Sequence, residues 1–444
     1  MASPQLTILL PTDVFPPRCG GAGWSAHALA LALIERGHRV CAIVPRQGAR
    51  GMRREEVLGA PALRYGYPAP NIPFVRNYFR HERLWHPLAG AIVTAWREGV
   101  SEGLALPDTP LIIHAQHVQV TPAAVLAGEL LRAPVVVTVR DHWPWDYFAT
   151  GLHGDRVPHP RQTWHSLAAD LPVRLGPLRG SAALAAIPYL LAHLRRRQQF
   201  LRRAAAVIAC SRYVARRLEA VVPRERVHVI PHLVDLPAIE RTLAAPPASV
   251  APGEPYLLFV GKLERNKGAH LLLDVFRALR DAERPTTSEE DRGQSPVVDR
   301  RSLVVAGDGP LRGELERGLH ELGVRARFLA WAEHDEVLRL MAHCELLLFP
   351  SAWGEPLSRV LLEACACGAP ILAMPTGGTP DIIEDGVSGA LAATPGRFAE
   401  RLAELLARPE ERRALATGAR RRARECFAKE TVVGQVEDLY RSLL

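Results

Sequence analysis

Short apolar runs alternate with longer stretches of helical period along nearly the whole chain. Residues 6–10, 40–44, 111–113, 135–139, 207–209 and 227–230 read as buried strands, because continuous runs of large aliphatic residues suit strands covered on both faces. Between them, residues 25–36, closed by Gly37, and residues 123–131 carry helical spacing. Strand alternating with helix predicts α/β units on a parallel sheet. Residues 50–107 are Arg-rich and aromatic and show no period that assigns them.

The pattern then breaks. Residues 236–255 contain five prolines and no strong period, and read as a linker or hinge. A second α/β series follows, with strands expected at 256–260, 302–306, 326–329, 345–349 and 370–373. Residues 283–300 are polar and aperiodic, and are expected to form a disordered insertion. The arrangement predicts two doubly wound domains, 1–240 and 250–428, facing each other across a cleft. A C-terminal amphipathic helix is expected over 429–444.

Composition adds bounds. The chain has 444 residues, enough for two domains, and 48% of them are hydrophobic against 23% charged, an ordinary globular balance. A net charge of +8 favours anionic small-molecule partners or an acidic membrane surface; nothing in the pattern points to nucleic acid. Seven scattered cysteines suit a reduced, cytoplasmic protein rather than a disulfide framework. Cys365 and Cys367 share a helical stretch and face different ways, so they read as buried small residues rather than metal ligands. The first residues are too short for a signal h-region. Residues 182–191, the longest apolar run, fall short of the ~18 residues that span a bilayer. Residues 194–203 hold five arginines and read either as a solvated basic helix face or as a contact for anionic headgroups at the inner membrane face.

The chemistry clusters at expected carboxyl ends of strands, where open α/β sheets bind ligands. In the first domain, Cys19-Gly20-Gly21-Ala22-Gly23 precedes a helix, which suits close approach of a phosphate to helix N–H groups. His114 and His117 follow one strand and Arg140-Asp141-His142 the next. In the second, Gly261, Lys262 and Lys267 lie on a loop where two ammonium groups suit a diphosphate. Glu355 and Glu363 stand eight apart, the first before and the second inside a helix beginning near Ser358. Gly307-Asp308-Gly309 opens a near-dinucleotide fingerprint whose third glycine, Gly313, comes one residue late, which argues against a dehydrogenase.

Together these segments resemble the retaining glycosyltransferases of family 4, which have the GT-B fold. The resemblance is carried by Gly20-Gly21-Ala22, residues 207–211 and 229–235, Val260-Gly261-Lys262, Lys267-Gly268, residues 306–310, the Glu355 to Glu363 element and Gly377-Gly378-Thr379-Pro380. It implies two Rossmann-like domains, with the acceptor on the first and a nucleotide-diphosphate-sugar donor on the second. Glu355 would contact the donor sugar and Glu363 the ribose hydroxyls. Lys262 and Lys267 would neutralise the diphosphate, joined from the first domain by Gly20 and Gly21. Leu357, Ser358 and Arg359 lie between the two glutamates, in the donor-binding stretch. A first-domain histidine near the sugar matches His117, with His114 and His142 as rivals. Front-face substitution with retention is implied, with no cofactor and no metal; no D-x-D motif is present. The acceptor would be a sugar or a lipid-linked sugar, and the C-terminal helix would cross back to the first domain. His232-Leu233, Ala330 and Leu357-Ser358 stand where the family commonly has Asn-Gly, Gly and Phe-Gly. Two other classes stay open: an epimerase or phosphorylase of the same architecture, and a non-catalytic nucleotide-sugar-binding subunit.

Overall fold

The computed structural model describes residues 5–17, 19–72, 75–101, 109–154, 157–159, 161–251, 253–282 and 301–444. They divide into two compact units. The first comprises Met1–Gly151, His159–Leu233 and Lys429–Leu444, and the second Leu152–Pro158 and Val234–Ala428.

The sheet of the first unit uses β1 (Thr7–Pro11), β2 (Arg39–Gln47), β3 (Gly51–Val57), β4 (Ala60–Tyr67), β5 (Leu111–Ala115) and β6 (Val135–Val139). After a short ribbon of β7 (Leu152–His153) with β8 (Val157–Pro158), it adds β9 (Ala206–Ala209) and β10 (Val227–Val229). The strand order is β10-β9-β6-β5-β1-β2-β4-β3. Every pairing is parallel except β3 with β4. β1, β6 and β9 are buried throughout, which is why they appear in the sequence as unbroken apolar runs. The helix Gly21–Glu35 covers one face with Ala26, Leu29, Ala30 and Leu33.

The helix Lys429–Ser442 belongs to this same core through Val432, Val433, Val436, Leu439 and Tyr440. Glu437, only 2% exposed, accepts from Arg36 at 2.7 and 2.8 Å and pairs with His38 at 2.9 Å. Tyr440 hydrogen-bonds His114 at 2.6 Å. Burial opposes ionisation of Glu437, but the hydrogen bonds from Arg36 and His38 prevail and hold its carboxyl down at about 2.

In the second unit the strands are β11 (Tyr256–Val260), β12 (Ser302–Ala306), β13 (Ala326–Phe328), β14 (Leu346–Phe349), β15 (Ile371–Ala373) and β16 (Ala390–Leu391). Their order is β13-β12-β11-β14-β15-β16, all parallel. This is the doubly wound order in which the sheet reverses direction between its first and fourth strands. The helices Leu271–Ala282 and Pro395–Ala407 bury Leu272, Val275, Phe276, Phe398, Leu402 and Leu405 against β11, β12 and β14.

Several sequence expectations change. Residues 50–107, left unassigned, hold the β3–β4 hairpin and the helices Val75–Arg80 and Glu82–Ser101. The hairpin turns on Leu58 and Gly59, both at positive φ, which matches the right-handed strand twist. Residues 236–255 are not a free linker. Asp235 caps the helix Leu236–Thr242 by accepting from Ala238 N–H at 2.9 Å. Ser249 N–H then donates to Glu336 at 2.7 Å, and Arg339 donates to the Thr242 carbonyl at 3.2 Å. The boundary expected at 240 therefore falls at Leu233, because Val234 N–H already donates to the Phe427 carbonyl at 2.8 Å. The insertion expected over 283–300 lies outside the described residues.

The Arg-rich stretch ends the helix Ile187–Arg203, and of its five arginines only Arg197 is buried. Arg197 is buried, donating to the Tyr147 carbonyl at 3.1 Å and lying 4.8 Å over the Tyr147 ring. Arg196 pairs with Glu82, Arg203 with Glu129, and Arg202 donates to the Val221 carbonyl. Among the described residues no helix is long and apolar enough to cross a membrane.

Candidate functional site

The reversal point of the second sheet lies between β11 and β14, the place where open α/β sheets bind ligands at the carboxyl ends of their strands. The loop after β11 starts at Gly261 and closes with a short 3-10 turn, Arg265–Lys267, capped by Gly268 at φ +71. A Cβ on Gly268 would stand 1.8 Å from the Pro350 carbonyl oxygen, so the two loops press backbone to backbone there. Ser351 Oγ donates to the Asn266 carbonyl at 3.3 Å. That contact brings Lys267 to Glu355, whose Oε1 accepts from Lys267 Nζ at 2.8 Å. The same ammonium lies 5.1 Å above the Trp353 ring.

Glu355 is held from behind. Gly378 N–H donates to its carbonyl at 2.7 Å, and a Cβ on Gly377, at φ +56, would approach that carbonyl to 2.2 Å. Its second carboxylate oxygen, Oε2, is buried and accepts no hydrogen bond. A buried carboxylate oxygen without a donor is costly, and in a cleft it marks a place that a ligand completes.

Ser358 caps the helix Arg359–Cys367, its hydroxyl accepting from Leu361 N–H at 3.4 Å. Glu363 sits one turn in and is 7% exposed. Arg359 donates to it at 2.8 Å, and His334, at the start of the helix His334–His343, reaches the same oxygen at 3.2 Å. Burial works to raise the Glu363 pKa, but hydrogen bonding to His334 and the charge of Arg359 bring it below the ordinary range. His334 is raised correspondingly by its bond to Glu363. Ala330, where the resemblance expects glycine, takes φ +51 and bridges to Gly307.

Not every expected residue joins this cluster. Lys262 is 72% exposed and faces Glu264 at 3.9 Å, whereas Lys267 is bound to Glu355. Leu357 is buried, which leaves only its backbone for a ligand. Arg359 is committed to Glu363. Trp353 and His334 were not anticipated. Trp353 stands only two residues before Glu355 in the chain, whereas His334 lies in no expected strand-end motif and only the fold brings it to Glu363.

In the first unit the sheet reverses between β1 and β5. Asp13 follows β1, His117 follows β5 and Asp141 follows β6, and the three meet. His117 Nδ1 binds Asp13 and Nε2 binds Asp141, both at 2.7 Å. Trp143 N–H donates to the other Asp141 oxygen at 2.8 Å. Burial works to lower the His117 pKa, but the two carboxylates overcome it and raise it to about 10. His117 is thus an imidazolium clamped by two anions. Asp13 Oδ1 is buried with no hydrogen-bond partner.

The rival histidines are both buried. His114 is fully buried between Tyr440 and Thr138, and burial, aided by the charge of Arg140, pushes it down to about 3. His142 is buried beside Tyr213 and lowered by desolvation. Within the glycine turn, the position that demands glycine is Gly23, where a Cβ would stand 2.5 Å from Cys19 Sγ. Gly20 faces open space and precedes the first turn of the helix Gly21–Glu35, which begins four residues earlier than its apolar period suggests.

Two family models match this chain: Glycosyltransferase Family 4 over residues 19–237 and Glycosyl transferases group 1 over 244–422. Among curated proteins, the chain is 31% identical over 195 residues to spore coat protein SA of Bacillus subtilis, covering 42% of this chain and 49% of that one. It is 33% identical over 192 residues to a D-inositol 3-phosphate glycosyltransferase of Salinispora tropica, covering 41% and 37%. It is 28% identical over 300 residues to the 2-deoxystreptamine glucosyltransferase of Streptomyces kanamyceticus, covering 60% and 68%. The matched region therefore spans about half or less of the first two relatives. Anabaena Alr3699/HepE in complex with UDP superposes with a TM-score of 0.64 at 19% identity, over 98% of this chain and 100% of that one. A sucrose-phosphate synthase from Thermosynechococcus elongatus gives 0.64 at 19%, over 99% of each. These likenesses establish the GT-B fold.

Proposed function

Because the chain belongs to glycosyltransferase family 4, with the GT-B fold, we propose that it transfers a sugar from a nucleoside-diphosphate sugar to an acceptor, with retention at the anomeric carbon and without a metal. The observation that carries this reading is the Lys267–Glu355 pair at the β11/β14 reversal point, with Glu355 Oε2 buried and unpartnered. A donor hydroxyl bound there would supply the missing hydrogen bond. The N–H groups at the start of the helix Arg359–Cys367 suit a diphosphate. Lys267 and, after a side-chain swing, Lys262 would neutralise the charge that grows on the departing diphosphate. Glu363, oriented by Arg359 and His334, suits the ribose hydroxyls. His117, as an imidazolium, is assigned to electrostatic support on the sugar side rather than to general base catalysis. The UDP-glucose bound in the Anabaena structure makes a uridine diphosphate sugar the first donor to try.

A thermal-shift screen of UDP, GDP and ADP and their glucose conjugates is expected to single out one base. Transfer is then expected to survive EDTA, since lysines and helix N–H groups supply the positive charge. Activity lost to the chelator and restored by magnesium or manganese would remove the metal-free mechanism.

A further inference from the structure

Between β6 and β9 the first unit carries two helices that are apolar on both sides. Inward, Leu167, Leu171, Ala183, Ile187 and Leu190 form a small core of their own. Outward, the helices Trp164–Leu175 and Pro177–Ala183 turn a corner at Gly176. They cross so closely that a Cβ on Gly180 would lie 2.3 Å from Pro172 Cα. The corner projects apolar side chains: Leu178 is 87% exposed, Val173 64% and Leu175 41%, with Trp164 at 51% on the same helix. A helix hydrophobic on both faces is expected where both faces are covered.

The charge around the corner is one-sided. From 159 to 203 the sequence holds eight arginines and one carboxylate, Asp170. That carboxylate is buried and bound to Arg174 at 2.7 Å. Arg161, Arg179 and Arg195 are exposed. We propose that this corner docks the protein on an anionic bilayer surface. Val173, Leu175 and Leu178 would enter the headgroup boundary, and Arg179 and its neighbours would meet lipid phosphates. Aliphatic tips flanked in sequence by exposed arginines, with no exposed carboxylate between residues 161 and 203, match an interfacial anchor. A second copy of the chain is a poorer occupant, because a two-fold contact sets the patch against itself and opposes arginine to arginine. The inference does not rest on the donor-site reading, and it moves the basic membrane contact from the end of the helix Ile187–Arg203, where Arg197 is buried and Arg196 and Arg203 are paired with carboxylates, to the corner.

The test is co-sedimentation of the full chain with phosphatidylcholine vesicles, with and without about 30% phosphatidylglycerol. Binding is expected only with the anionic lipid and should fall as salt is raised. The variant V173E/L175E/L178E is expected to partition at least tenfold more weakly with an unchanged melting temperature. R179E/R195E, which alters only exposed charges, should weaken binding independently and keeps the test decisive should the triple variant fold poorly. Absence of wild-type binding, or binding by both variants as strong as that of the wild type, overturns the proposal. So does self-association that the triple variant abolishes while vesicle binding persists; the corner would then join copies of the chain.

Discussion

Lys267 Nζ donates to Glu355 at 2.8 Å, while the other oxygen of that carboxylate is buried with nothing to accept. A structural ion pair would satisfy both oxygens, so the arrangement reads as half of a binding site. Replacing Glu355 by Gln keeps the shape and removes the charge; replacing it by Ala removes both. Loss of one preorganised charge contact costs roughly 3–4 kcal/mol in the barrier. Both variants are therefore expected to lose about two to three orders of magnitude in kcat. The melting temperature should fall by only a few degrees, since the side-chain bond lost from the fold is the partly exposed pair with Lys267. Turnover within tenfold of the parent would take Glu355 out of the site.

His117 bears on pH. With a folded pKa near 10 against about 6.5 in an unfolded chain, it binds a proton more tightly when folded. Its stabilising contribution is fully present below about pH 6.5 and is lost as the pH rises through about 10. Its ring resonances are expected not to titrate between about pH 6 and 8. Asp141→Asn removes one of the two anions and should bring the titration down towards neutrality. A wild-type His117 titrating near pH 6.5 in a proton NMR series would contradict the clamped imidazolium.

Glu437 shows the opposite sign. Its folded pKa of about 2 lies below the unfolded value of about 4.3. The stability it supplies is present above about pH 4.3 and drains as the pH falls towards 2. Glu437→Gln breaks the charge contacts with Arg36 and His38 and should destabilise the first unit by about 3 kcal/mol at neutral pH, as breaking a buried pair does. The difference from the parent should shrink in urea melts at acid pH. A gap that stays constant down to pH 3 would show that packing, not charge, fixes the C-terminal helix.

The strands buried on both faces were legible as apolar runs, and the positions of Glu355, Glu363 and Lys267 followed from their places after β11 and β14. β3 was not legible: Gly51 to Glu55 alternate nothing, because the strand lies at the sheet edge with nearly every side chain exposed. The helix Glu82–Ser101 did carry a signal, with Trp85, Leu88, Ala89 and Ile92 buried at helical spacing, but Pro87, inside the helix, disguised it. Residues 236–255 misled through their prolines, since Pro237 sits where proline suits a helix start. The Asp13–His117–Asp141 and His334–Glu363 contacts join residues from different strand ends, and only the sheet order reveals them.

Gly268 tests whether loop packing, rather than the two side chains alone, sets the Lys267–Glu355 distance. At φ +71 an alanine pays a backbone penalty of about 1 kcal/mol. Its Cβ must also displace the Pro350 carbonyl, now 1.8 Å from where that atom would go. Overpacking against backbone adds a further 1–3 kcal/mol or so. The two loops would separate, and with them the ammonium and the carboxylate, although neither residue has been changed. Gly268→Ala is therefore expected to lower the melting temperature and to weaken nucleoside-diphosphate binding in calorimetry by more than Lys267→Ala does. Lys267→Ala, which leaves the backbone alone, should bind more weakly at an almost unchanged melting temperature. If Gly268→Ala binds nucleotide as tightly as the parent, the backbone contact with Pro350 does not position the site, and Lys267 finds Glu355 without it.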